Sequence, residues 1–212
     1  MDSEYLIYAV TDRRLHPHLS LADAVEASIK GGATIVQLRE KDSSGKAFLE
    51  SAIALKDITA RYDIPLIIND RIDIALLVDA GLHIGQDDIP LTEARRLLPE
   101  ATIGVSVSTV EQAVAAEREG ADYLGVGSLF PTATKQDATF MARATLEEIR
   151  KAVHIPLVGI GGITETNIST LSSLVDGYAV VSALFASEDI QRTTKKFKQT
   201  VKQVRQSVSD RV

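Results

Sequence analysis

Short apolar runs of strand length alternate with segments of helical period along the whole chain. The runs that predict strands cover residues 6–10, 34–38, 66–68, 82–84, 102–105, 123–126, 157–159 and 178–181. The segments that predict helices cover residues 21–30, 46–62, 72–78, 91–98, 110–119, 146–153, 165–174 and 189–208. Because a strand–helix–strand connection favours parallel pairing, this alternation predicts a parallel sheet covered by helices.

The number of units decides between two parallel architectures. Eight strands with eight helices predict an α/β fold of the closed (βα)8, or TIM-barrel, type, with residues 1–212 as one domain. The alternative is an open doubly wound sheet, which would have a glycine-rich turn after its first strand. That position here reads Thr11-Asp12-Arg13-Arg14, so the closed barrel is favoured.

Glycines and small polar residues punctuate the predicted helices. Gly31-Gly32, Gly81 and Gly120 each stand between a helix and the next strand, where a residue with positive φ can end the helix. Ser20, Ser43 or Ser44, and Thr109 are predicted to be N-caps, since their hydroxyls can accept bonds from the first free N–H groups.

Composition removes several classes of function. The 212 residues carry a formal net charge of −6 and contain no cysteine. The charge argues against nucleic-acid binding, and the lack of cysteine excludes disulfides, a thiolate nucleophile and cysteine-ligated zinc. The first residues show no signal-peptide pattern, and no stretch has the ~20 apolar residues that span a bilayer. We therefore expect a cytoplasmic protein that acts on small molecules.

In a barrel of this kind the active site lies at the carboxyl ends of the strands. The second strand ends in Gln37-Leu38-Arg39-Glu40-Lys41, and period-two alternation sends Gln37, Arg39 and Lys41 to one side. A solvated loop is an equally good interpretation of that run by itself. Asp70 and Asp88 follow the third and fourth strands and offer the hard oxygen ligands that magnesium prefers. Either aspartate alone is more often a helix N-cap.

Three further strand ends carry groups suited to anions. The segment from Gly127 to Lys135 supplies hydroxyls, an ammonium and a glycine that permits close backbone approach. Ser106 ends the fifth strand. The Gly159-Ile160-Gly161-Gly162-Ile163 run and Ser182-Ala183 follow the last two strands, where such barrels commonly bind a phosphate. A simple turn is the more frequent meaning of a glycine pair.

Taken in order, these runs resemble the thiamine-phosphate synthase family from Tyr8 to Phe185. The matching motifs are Val10-Thr11-Asp12, Gly31-Gly32-Ala33, Gln37-Leu38-Arg39-Glu40-Lys41, Asn69-Asp70-Arg71, His83-Ile84-Gly85-Gln86-Asp87-Asp88, Gly104-Val105-Ser106, Gly120-Ala121-Asp122-Tyr123, Pro131-Thr132-Ala133-Thr134-Lys135, Gly159-Ile160-Gly161-Gly162-Ile163 and Val181-Ser182-Ala183. The sequence departs from the family at Asp79-Ala80-Gly81, in a shortened approach to the eighth strand, and in the loop after Lys135, which lacks a glycine.

The resemblance implies a magnesium-assisted transferase that joins hydroxymethylpyrimidine diphosphate to a thiazole phosphate and releases pyrophosphate. It implies diphosphate contacts from Arg39, Lys41, Asn69, Ser106, Thr132, Thr134 and Lys135, with Arg39, Lys41, Ser106 and Lys135 as catalytic residues. By the same resemblance, Asp70 and Asp88 would hold Mg²⁺, Gln37 and His83 would face the pyrimidine, and Gly162 and Ser182 the thiazole or its phosphate.

Two alternatives stay open at this point. A thiazole tautomerase would keep the barrel and the phosphate corner and would use His83 for proton transfer. A non-catalytic phosphate-binding regulator is the other, because fold does not fix function. The retained Asp88, Thr134 and Lys135 weigh against the tautomerase. The amphipathic C-terminal segment around Phe197, Val201 and Val204 could pack on its own barrel or on another subunit of a homo-oligomer, and we expect it to pack on its own barrel.

Overall fold

The computed structural model describes residues 4–131 and 140–209. Within these ranges eight parallel strands close into a barrel in sequence order, with β8 paired to β1. They are β1 (Ile7–Val10), β2 (Ile35–Leu38), β3 (Leu66–Asn69), β4 (Gly81–Ile84), β5 (Ile103–Val107), β6 (Tyr123–Val126), β7 (Leu157–Gly159) and β8 (Gly177–Val180). The predicted (βα)8 barrel is therefore confirmed.

The helices surround the barrel. They are α1 (Leu21–Gly31), α2 (Gly45–Arg61), α3 (Ile72–Val78), α4 (Leu91–Leu97), α5 (Val110–Arg118), α6 (Arg143–Ala152), α7 (Ser182–Phe185) and α8 (Ile190–Ser209). One apolar cluster lies between strands and helices and includes Ile7 and Ala9, whereas alternate strand residues such as Tyr8, Ile35 and Tyr123 form a second cluster. Because successive strand residues point to opposite faces, this second cluster fills the barrel interior.

The helix boundaries agree with the local chemistry of most predicted caps. The side chains of Ser20, Ser44 and Thr109 accept capping hydrogen bonds at α1, α2 and α5. Gly32 follows α1 with a φ of 109°. The prediction for Gly81 was wrong, because Asp79 is the left-handed residue after α3, with a φ of 50°.

The helix predicted over residues 165–174 is wrong. Only a single 3-10 turn, Ile168–Thr170, forms in that stretch. The side chains here bond to nearby backbone instead: Asn167 Oδ1 accepts from Thr164 N at 2.9 Å, and Thr170 Oγ1 donates to Asn167 O at 2.7 Å. Hydroxyl and amide side chains compete with helical hydrogen bonding in this way. Because several of them lie close together here, no α-helix forms despite the helical spacing of the apolar residues.

The C-terminal helix packs on its own barrel, as expected. Phe197 and Val201 of α8 are buried in the core between strands and helices, and α8 lies against α1. Gly31 permits this close approach, since a Cβ there would lie 2.6 Å from the Cβ of Thr194.

Candidate active site

A cavity of about 490 Å³ opens at the carboxyl ends of the strands. Every site residue predicted within the described ranges lines it: Gln37, Arg39, Lys41, Asn69, Asp70, His83, Asp88, Ser106, Gly162 and Ser182. The sequence places these residues on six different strand ends, and closure of the barrel brings them to one mouth. The predicted Thr132, Thr134 and Lys135 lie outside the described residues.

The end of β2 presents two cations to the cavity. Arg39 and Lys41 line it, whereas Glu40 between them points away and accepts hydrogen bonds from Arg13 Nε at 2.7 Å and Ser43 Oγ at 2.8 Å. The backbone N–H of Arg39 also donates to Thr11 Oγ1 at 3.0 Å. The predicted alternation of this run therefore holds, and bonds on the far side fix the segment that carries both cations.

Asp70 and Asp88 form a pair of facing carboxylates. Burial and the charge of Asp88 raise the pKa of the Asp70 carboxyl to about 6, against the weaker opposing effect of Lys41 and Arg39. Asp88 Oδ2 accepts a bond from Gly85 N at 2.7 Å. Neither aspartate caps a helix, because α3 and α4 have no side-chain cap. The N-cap alternative for these two residues is therefore wrong.

This pair has the chemistry of a magnesium site. Mg²⁺ usually takes one or two protein carboxylates and completes its shell with water and substrate phosphates. A cation between Asp70 and Asp88 would offset the repulsion that raises the Asp70 pKa. In the described part of the chain no group of three or more His, Asp or Glu residues suited to a metal is found. The fit thus depends on phosphate oxygens from a ligand.

A chain of hydrogen bonds runs below the charged rim. Gln37 Nε2 donates to Tyr8 Oη at 2.9 Å, and the Tyr8 and Tyr123 hydroxyls lie 2.7 Å apart. His83 Nδ1 is 2.9 Å from Tyr123 Oη, and His83 Nε2 is 2.9 Å from Ser106 Oγ. Burial lowers the pKa of His83 to about 4, so the imidazole is neutral near pH 7.

The sequence analysis did not identify Tyr8 and Tyr123, the two tyrosines of this hydrogen-bond chain, as site residues. Each stands inside an apolar strand run and has the pattern of a core residue. The signal that could have found Tyr8 was the alternation of side chains along a strand. Tyr8 is in register with Ile35, which is two residues before Gln37, so the side chains of Tyr8 and Gln37 both face the barrel axis. Gly104 leaves room for the Tyr123 ring, because a Cβ at that glycine would overlap the ring.

The loop after β7 brings backbone to the opposite side of the mouth. Gly161 and Gly162 both have positive φ, at 94° and 62°. A Cβ on Gly162 would lie 2.8 Å from Phe130 Cβ, so glycine is needed both for the backbone angle and for the packing. Ser182 begins α7 and lines the same cavity.

Comparison with known proteins gives consistent matches to this arrangement. The family model described as thiamine monophosphate synthase matches residues 7–184. The thiamine-phosphate synthase of Clostridium botulinum (strain Eklund 17B / Type B) is 50% identical over 199 residues, which are 92% of this chain and 93% of that protein. The enzyme of the same name from Clostridium tetani is 50% identical over 189 residues, covering 88% and 90% of the two chains.

Solved structures agree with these sequence matches. The thiamine phosphate pyrophosphorylase of Pyrococcus furiosus superposes with a TM-score of 0.87 at 38% identity, covering 95% of this chain and 97% of that one. A tryptophan synthase of Mycobacterium tuberculosis shares the fold alone, with a TM-score of 0.68 at 14% identity over 93% of each chain. Among the described residues, no helix has the length and apolar character needed to cross a membrane.

Proposed function

The chain belongs to the thiamine monophosphate synthase family, and we propose that it condenses hydroxymethylpyrimidine diphosphate with a thiazole phosphate to give thiamine phosphate and pyrophosphate. The observation that carries this proposal is one cavity in which Arg39 and Lys41 stand beside the Asp70–Asp88 pair. Cations next to paired carboxylates suit a metal-bound diphosphate better than a monophosphate alone.

The chemistry needs no protein nucleophile. The bond between the pyrimidine methylene carbon and the diphosphate oxygen breaks, and pyrophosphate leaves with the electron pair. The thiazole nitrogen then forms the new bond to that carbon, and the positive charge resides on the thiazolium ring. Catalysis therefore depends on orienting the two substrates and on stabilising negative charge on the departing group.

We assign the second task to the β2 end and its neighbours. Arg39 and Lys41 neutralise diphosphate oxygens, and Asn69 and Ser106 donate hydrogen bonds to them. Lys135, with Thr132 and Thr134, would contribute from the segment outside the described residues; that assignment rests on the sequence motif alone.

Magnesium would be held by Asp70 and Asp88 and would offset charge on the leaving diphosphate. Gln37 and the neutral His83 would contact the pyrimidine, and Gly162 and Ser182 the thiazole or its phosphate. A neutral imidazole suits contact with the pyrimidine ring, because it adds no charge next to the cation that develops at the methylene carbon. We place the activity in the cytoplasm. A chain without cysteine has no disulfide that the reducing conditions there could break.

A substrate-omission assay tests this function. The protein is incubated with both substrates, with either one alone, and with both in the presence of a magnesium chelator. We expect thiamine phosphate only with both substrates and magnesium. A tautomerase would instead change the thiazole phosphate without any pyrimidine, and a regulator would bind phosphate ligands without turnover; either result would overturn the proposal.

A further inference from the structure

The hydrogen-bond chain Gln37–Tyr8–Tyr123–His83–Ser106 links two parts of the cavity that the reaction uses differently. Gln37 lies at one end, on β2, and Ser106 at the other, on β5. All five residues line the cavity. The chain therefore crosses the floor of the cavity from one side to the other.

The number of hydrogens in the chain limits its arrangements. Burial raises the pKa of Tyr8 and of Tyr123 well above the usual range, so both phenols keep their single proton. Burial also keeps His83 neutral, with one N–H. If all four contacts are made and both buried phenol hydrogens bond within the chain, the donors all point toward Ser106, or they all point toward Gln37, whose amide oxygen would then accept.

The Gln37 amide selects one of these two directions. Its Nε2 donates to Tyr8 Oη, so only a Tyr8 hydroxyl that donates to Tyr123 leaves neither buried phenol hydrogen without a partner in the chain. Tyr123 then donates to His83 Nδ1, which makes His83 the tautomer with hydrogen on Nε2. That N–H donates to Ser106 Oγ, and the hydrogen of Ser106 is free for a ligand in the cavity.

The direction matters because Ser106 stands where the proposed diphosphate departs. With the donors pointing toward Ser106, its hydroxyl offers a hydrogen to an oxygen that gains negative charge. With the opposite direction, Ser106 would spend its hydrogen on His83 and present only lone pairs to the anion. The same serine would then oppose the reaction that it should assist.

We propose that Tyr8 and Tyr123 are positioning residues that fix the hydrogen-bond direction of His83 and thereby make Ser106 a donor to the departing diphosphate. The role of Ser106 as a donor to the diphosphate rests on the proposed function. The direction of the hydrogen bonds does not depend on that function. Neither tyrosine needs to touch the diphosphate, because each acts through the groups that follow it in the chain.

The tautomer of His83 tests the direction without any turnover. Nitrogen NMR of the ligand-free protein labelled with ¹⁵N-histidine distinguishes protonated from unprotonated ring nitrogens, and the His83→Gln spectrum assigns the signals. We expect hydrogen on Nε2 and a bare Nδ1. Hydrogen on Nδ1 would overturn the proposal, even if the protein proves to be an active synthase.

A double-mutant cycle tests the consequence. Tyr123→Phe should slow single-turnover pyrophosphate release about tenfold in the parent, the effect of one lost hydrogen bond. In a Ser106→Ala background, the same change should slow release less than about twofold, since the serine through which Tyr123 acts is gone. An equal loss in both backgrounds would show that Tyr123 has only a structural role, and the proposal would fail.

Two further variants serve as a negative control and as a substitute for Tyr123→Phe. Tyr178→Phe removes a buried hydroxyl outside the cavity lining and should leave the release rate unchanged. If Tyr123→Phe does not fold, Tyr8→Phe breaks the chain one step earlier and must show the same dependence on Ser106. An absence of pyrophosphate release in the parent would contradict the proposed function. The NMR result would still test the hydrogen-bond direction, because the His83 tautomer is measured without turnover.

Discussion

The carboxylates of Asp70 and Asp88 face each other at the barrel mouth, and burial together with the Asp88 charge raises the pKa of Asp70 to about 6. Above that pH the Asp70 carboxylate is charged and is repelled by the charge of Asp88. A site that is unfavourable when empty and favourable around a cation is what a magnesium–diphosphate complex requires.

Asp70→Asn separates the electrostatic and structural roles of this residue. Asp70 has a φ of 63°, a backbone angle that asparagine tolerates, so the fold should be kept. In magnesium-free buffer at pH 7.5 we expect the Tm to rise by about 2–4 °C, because about 1 kcal/mol of repulsion is relieved. The Tm increase on adding magnesium together with pyrophosphate should disappear, and turnover should fall.

Asp73→Asn is the matched control, since Asp73 is on the exposed side of α3 and pairs with Arg71. It should keep the magnesium response in both thermal unfolding and turnover. An Asp70→Asn variant with the parent's magnesium dependence would contradict the metal assignment.

His83 should lower stability at acid pH. Its pKa is lowered from 6.5 to about 4 by burial, so between these values the unfolded chain binds a proton that the folded chain does not. The free energy of unfolding should therefore rise with pH from about 4 to 6.5, by up to about 3 kcal/mol for this group. Denaturant titrations of the parent and His83→Gln should differ by that slope, and parallel curves would show that His83 titrates normally.

Substitution of Gly104 and of Gly125 by alanine should lower stability by different amounts. A Cβ at Gly104 would overlap the Tyr123 ring, whereas a Cβ at Gly125 would lie 3.1 Å from His83 Cε1. Gly104→Ala should therefore destabilise the protein by about 1–3 kcal/mol through overpacking, and Gly125→Ala by less. Denaturant unfolding measures both; equal losses would mean that Tyr123 moves without penalty.

Lys135→Ala tests the part of the site that rests on the sequence motif. Loss of an ammonium from the departing diphosphate should slow single-turnover chemistry by about 10²–10³, with little change in Tm. Lys151→Ala, an exposed change on α6, should leave the rate unaltered. A Lys135→Ala rate within a few-fold of the parent would remove this residue from the diphosphate site.

The barrel itself was predictable because hydrophobic period and chain order determine it. Eight apolar runs separated by helical segments leave few other closed arrangements. The failure at residues 165–174 has a local cause: the side chains of Asn167 and Thr170 bond to the backbone, which an apolar pattern does not register.

The charged rim was predictable for a similar reason, since alternation along β2 orients Gln37, Arg39 and Lys41. The roles of Tyr8 and Tyr123 were not, because a buried tyrosine gives the same sequence signal whether or not its hydroxyl has a partner. The contact between these hydroxyls joins residues 115 positions apart in sequence, and only the closed barrel creates it.

The most direct test of the account follows both products in one single-turnover reaction. Excess enzyme is mixed with hydroxymethylpyrimidine diphosphate, thiazole phosphate and magnesium, and pyrophosphate and thiamine phosphate are measured in each quenched sample. We predict that both products form, reaching equal final amounts, and that neither forms at a comparable rate with Arg39→Ala. Folded enzyme that releases no pyrophosphate, or an Arg39→Ala variant that matches the parent, would contradict the account.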